Sequence, residues 1–137
     1  ARNAARRALT DDLADLGQRH DACTEAAAAG DADAYYYANE RFHAAIRTIG
    51  GNAFLLQEID RLQKRLKAFR RIQLRARDRI TTSLEEHERI MRCLIAGDAE
   101  SAASEMRKHI SIQGDRFGDL MATLSRDQKP RHYMKQA

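Results

Sequence analysis

Apolar residues recur along this chain at three- and four-residue steps, the spacing of one face of an α-helix, and short polar breaks divide them into segments. Thr10 followed by Asp11 and Asp12 has the form of a helix start, a capping side chain with acids in the first turn. The helix it opens is expected over 11–29 and to end at Gly30. Asp31 can cap a second helix whose apolar side carries Tyr35, Ala38, Phe42, Ile46 and Ile49, and Gly50-Gly51-Asn52 breaks it. A third begins near Ala53, with Leu55, Ile59, Leu62, Leu66 and Phe69 forming a stripe suited to packing in an antiparallel bundle. Residues 78–82 read as a loop. Ser83 and Glu86 then match the S-x-x-E capping box ahead of a short helix with the stripe Leu84, His87, Met91, Leu94, closed by Gly97. Asp98 caps the last long helix, expected over 99–124, with Ala102, Met106, Ile110, Phe117, Leu120, Met121 and Leu124 on one side. Residues 126–137 have no periodicity and read as a tail. The opening residues, ARNAARRAL, fit the end of a helix that begins outside this chain.

Helices joined by such short breaks are antiparallel neighbours. The expected fold is therefore all-α, an antiparallel bundle of about five to seven helices forming one domain over 1–125. Composition agrees: there is one proline, Pro130, and seven glycines, too few turn residues for a sandwich or barrel. No apolar run approaches the ~18 residues of a membrane span. Residues 1–9 carry Arg2, Arg6 and Arg7 without an apolar core, which is unlike a secretory signal. Cys23 and Cys93 form no C-x-x-C pair, so a reduced, cytoplasmic protein is expected. Net charge is +4, much of it between Arg61 and Arg79. Such a run suits a nucleic-acid surface, but the ordinary solvated face of a long helix is the preferred reading.

His43, His87 and His109 are the informative residues. His87 and His109 lie on apolar stripes, and His43 lies one turn beyond Asn39, so that amide and imidazole project from the same face. A lone histidine on an apolar face is ordinarily a satisfied core residue. Three on three helices are harder to explain, because each unsatisfied buried polar group costs ~1–3 kcal/mol. A shared cation would satisfy all three, and nitrogen ligands with one oxygen suit zinc, nickel, iron or manganese. The residues alone leave both readings open. His20, between Arg19 and Asp21, and His132, in the tail, read as surface residues.

The chain resembles the effector-binding FCD domain of the FadR subfamily of GntR bacterial transcription regulators. The resemblance is carried by Asn39-Glu40-Arg41-Phe42-His43 with Gly51-Asn52, by Ser83-Leu84-Glu85-Glu86-His87 through Ala96-Gly97-Asp98, and by Met106-Arg107-Lys108-His109. It implies a divalent metal held by Asn39, His43, His87 and His109, with zinc first and nickel, iron or manganese as alternatives. Asn39 stands where the family more often has Asp, which weakens the site and leaves it more positive. The resemblance also implies a homodimer and a winged helix-turn-helix domain, outside this chain, that binds DNA. An arginine the family commonly uses on its effector has no counterpart here.

Neutral ligands leave the full charge on the metal, so a small organic acid is the expected effector. Tyr35 and Gln113, each one turn from a ligand position, and Arg70, a guanidinium able to grip a carboxylate, are the candidate effector contacts. Two rival readings stand beside this one. The first is a metal-dependent, hydrolase-like enzyme, for which no general base or H-E-x-x-H pattern is evident. The second is a metal-free helical dimerisation module.

Overall fold

The computed structural model describes residues 1–76 and 78–127, with the α6 side chains described through Ser111 and at 118 and 122. Six helices are described: α1 (Arg2–Arg7), α2 (Thr10–Ala28), α3 (Ala32–Gly50), α4 (Ala53–Leu74), α5 (Arg79–Ile95) and α6 (Ala99–Asp127). The fold is the all-α bundle the stripes predict. No described helix is long and apolar enough to cross a membrane.

Local chemistry explains most of the boundaries. Asp31 accepts from the Asp33 and Ala34 amides at 3.0 and 2.9 Å, Asn52 from Leu55 at 3.0 Å, and Asp98 from Ser101 at 3.0 Å. Each satisfies donors that the first helical turn leaves unpaired. At α2 the expected cap is displaced by one residue. Thr10 is already helical, and the Asp12 carboxylate reaches back to accept from the Leu9 amide at 2.9 Å.

Two expectations need correction. Residues 79–82 form the first turn of α5 instead of a loop, so Ser83 and Glu86 lie within the helix and form no capping box. Both are buried, Ser83 at 1% and Glu86 at 4% exposure. At the other end, α6 continues to Asp127, two residues into the segment read as a tail. Gln113 and the stripe positions Phe117, Leu120, Met121 and Leu124 lie outside the described side chains.

Helix α3 packs against α1, α2 and α4, while α5 packs against α2 and α6. The core between them holds Leu16 and Cys23 from α2, Tyr35, Phe42 and Ile46 from α3, Ile90 and Leu94 from α5, and Ala102 from α6. The α4 stripe is only partly covered: Leu55 is 51% and Leu62 55% exposed. Ion pairs help hold α4 to α3. Arg71 grips Asp33 through Nε at 3.2 Å and Nη2 at 2.7 Å, and Arg70 pairs with Glu40. Part of the basic run is therefore engaged by acids of α3.

Candidate metal centre and adjoining cavity

His43 of α3, His87 of α5 and His109 of α6 meet in the interior, each offering a ring nitrogen within 4.8 Å of the others. Ring centroids lie 5.1 Å apart for His43 and His87, and 5.0 Å apart for His109 with each of them. His87 and His109 are fully buried and His43 is 8% exposed. The helical stripes bring them there: Phe42 and Ile46 flank His43 on the buried face of α3, and Ile90, Met91 and Leu94 continue the face that carries His87.

Their protonation follows from their surroundings. Burial, then the neighbouring imidazoles, hold His43 well below its ordinary value of 6.5. The same causes bring His87 down to about 2. Both rings are neutral at pH 7, with lone pairs available. His43 Nε2 and His109 Nε2 stand 3.1 Å apart, within one hydrogen bond. His87 is different. Neither of its ring nitrogens has a hydrogen-bond partner among the described residues, and both are buried. Asn39, 2% exposed and one turn before His43, has its Oδ1 in the same condition. A ring nitrogen of His87 and the Asn39 amide oxygen, beside two further imidazoles, are donors that a cation would satisfy. The donor set fits a divalent transition metal.

Two neighbours join the cluster that the sequence does not single out. The Glu86 carboxylate points inward, its Oε2 2.5 Å from His109 Nδ1 and 2.9 Å from Arg79 Nη2. Burial pushes the Glu86 carboxyl up, but the hydrogen bonds from His109 and Arg79 outweigh it and keep the group below the usual carboxylate range. Arg79, 2% exposed, is the counterion. His20 is the second neighbour, and the surface assignment fails. It is half-buried in α2, its ring edge-on to Phe42 at 5.8 Å and to His87 at 6.1 Å, with Nε2 buried. A signal for it exists: Leu13, Leu16, His20, Cys23 and Ala27 form a three-four stripe, and Leu16 and Cys23 are fully buried.

Beside His43 a cavity of about 360 Å³ opens between α3, α4 and α6, lined by Arg47, Arg70, Gln63, Leu66, Met106 and others. Its wall is mainly apolar, with guanidinium groups from Arg47 and Arg70. Arg70, whose side chain is 12% exposed, is no solvated surface charge. Arg47 donates to Gln63 at 3.2 Å and lies 3.8 Å from Asp60. Tyr35 lies elsewhere. It is fully buried beside Ser83 and Glu86 and is not among the cavity's described lining, and burial above all raises its phenol.

A family model described as the FCD domain matches residues 1–111. The chain belongs to the FCD domain family. Asn39, His43, His87 and His109 all fall inside the matched segment, and Gln113 falls just outside it. No curated protein matches the chain. FCD domains are the effector-binding domains of GntR-type regulators, so this FCD domain is a regulatory ligand-binding module and not an enzyme. The hydrolase-like alternative is set aside on that ground.

Proposed function

We propose that this FCD domain is the sensory part of a FadR-type transcriptional regulator, in which Asn39, His43, His87 and His109 hold a divalent metal beside the site of a small organic acid. The observation that carries the reading is the state of His87: a fully buried imidazole with neither nitrogen partnered among the described residues, 5.0–5.1 Å ring to ring from two other buried imidazoles. In a metal-free design that arrangement would be an unrelieved cost, because orphaned buried groups lose hydration without replacement. A bound divalent ion would supply positive charge and open coordination positions for a carboxylate. Zinc suits the imidazole-rich set best, with nickel, iron or manganese admissible.

The chain's own residues define what can enter. His43 contributes to the cavity wall, so the histidine cluster and the cavity adjoin. Arg47 and Arg70 add guanidinium groups there, and Ile59, Leu62 and Leu66 add apolar surface from α4. An acid with a compact apolar body matches such a lining better than a strongly hydrated anion. Glu40 pairs with Arg70, so an entering carboxylate would compete with that ion pair. Gln113 stays in the proposal as a candidate contact, and Tyr35 only as a buried residue behind the site, beside Ser83.

Occupancy would fix how α3, α5 and α6 pack, since each supplies one histidine. The equilibrium it biases is the orientation of winged-helix domains in a homodimer, so that DNA is bound through them and not through this chain. The test is elemental analysis of protein purified without a polyhistidine tag. We expect about one equivalent of a divalent transition metal, lost in His87→Ala with the helical spectrum retained. Absence of metal, together with no gain in melting temperature on adding zinc or nickel, would leave the metal-free dimerisation module in its place.

A further inference from the structure

We infer that Glu86 and its buried counterion Arg79 are positioning residues for His109, fixing which of its ring nitrogens faces His43 and His87. The inference rests on the metal-site reading, but the hydrogen bond at its centre is independent of it. A neutral imidazole has one N–H and one lone pair, and an ionised carboxylate can only accept. With Glu86 Oε2 2.5 Å from Nδ1, the neutral ring a metal ligand must be carries its proton on Nδ1 and its lone pair on Nε2. That Nε2 is the atom 3.1 Å from His43 Nε2, inside the cluster. His109 is thus presented in the tautomer a metal ligand needs, and its donor strength is raised by the carboxylate behind it.

Arg79 explains how a carboxylate persists there. It stands seven residues, two helical turns, before Glu86 on the same face of α5, and donates to Oε2 at 2.9 Å. Arg79, Glu86 and His109 are 2%, 4% and 0% exposed, so the chain guanidinium–carboxylate–imidazole is buried from end to end. It also ties the first turn of α5 to α6. His87, the next residue after Glu86, is turned about 100° around the helix and reaches the same cluster from its other side. Adjacent positions of one helix thereby supply one ligand candidate, His87, and the support for another, His109.

The experiment combines long-range ¹H–¹⁵N NMR of the histidine rings in the metal-free chain with Zn²⁺ affinities by competition against a chromophoric chelator. Wild type, Glu86→Gln and the double variant Arg79→Met/Glu86→Gln are compared. We expect His109 protonated at Nδ1 in wild type, and a loss of Zn²⁺ affinity of about 10–100-fold in Glu86→Gln. The double variant, which leaves no unpaired guanidinium, should hold the wild-type melting temperature more closely without regaining affinity. A merely structural role would lower the melting temperature and leave the folded protein's affinity unchanged. An Nε2–H tautomer for His109, or equal Zn²⁺ affinity in wild type and folded Glu86→Gln, would overturn the positioning role. Should Glu86→Gln fail to fold, the wild-type tautomer decides alone. Failure of the wild-type chain to bind Zn²⁺ overturns the metal reading instead, and is told apart by the same titration.

Discussion

At neutral pH His43 and His87 are uncharged because burial and, after it, neighbouring imidazoles disfavour a proton. In an unfolded chain both titrate near 6.5. The folded values are depressed, so the unfolded state takes up protons first as pH falls, and stability present above 6.5 is lost below it. The slope approaches ~1.4 kcal/mol per pH unit for each imidazole. Urea unfolding of the metal-free chain between pH 6.5 and 5 should report these histidines. We expect a steady fall in midpoint, shallower in His87→Leu; a flat profile would mean the rings are not held neutral. These histidines are legible in the sequence because each sits on an apolar stripe or one turn from a polar partner. Glu86 and His20 are not. A glutamate three residues after a serine looks the same whether it caps a helix or enters a core, and only Arg79 and His109, folded against it, decide. His20 is hidden by its charged neighbours, although its place on the Leu16–Cys23 stripe outweighs them.

Helix boundaries are legible wherever a side chain acts on the next turn, as at Asp31, Asn52 and Asp98. They are not at α5, where the start is set by tertiary burial of Arg79 and not by a local cap. The α3–α4 junction shows how closely an element end is tied to its surroundings. Gly51 holds φ 66°, and a β-carbon there would stand 2.8 Å from Arg7 Nη1, the same atom that donates to the Gly50 carbonyl at 2.7 Å. Gly51→Ala should therefore cost about 1–2 kcal/mol from the left-handed backbone, with further loss as Arg7 is displaced. Gly17 offers the control. It lies inside α2, and an added methyl would meet nothing within 4 Å, so Gly17→Ala should stabilise by about 0.5–1 kcal/mol. Chemical denaturation of the two variants should give shifts of opposite sign, and equal shifts would contradict the backbone argument.

The bundle is legible as a whole, but the incomplete cover of α4 is not, since a stripe reports which side is apolar and not what lies against it. That side of α4 borders the cavity next to His43, so the proposed function implies two linked sites with an order of filling. A divalent metal at a hundredfold excess over its Kd should stabilise the folded chain by about 2.7 kcal/mol. At a few degrees per kcal/mol for a domain of this size, the melting temperature should rise by on the order of 10 °C. A small apolar-bodied carboxylic acid should add a second increment in the metal-loaded chain and little in the metal-free one, because its carboxylate then lacks its main partner. Arg70→Ala separates the two events. Removing the guanidinium deprives Glu40 of its ion pair and takes away a charge-assisted partner worth about 1.5–3 kcal/mol. Scanning calorimetry of this variant should therefore show the metal increment intact and the acid increment reduced. An undiminished acid response would place the acid away from Arg70, and a lost metal response would mean that α4 supports the histidine cluster as well as the cavity.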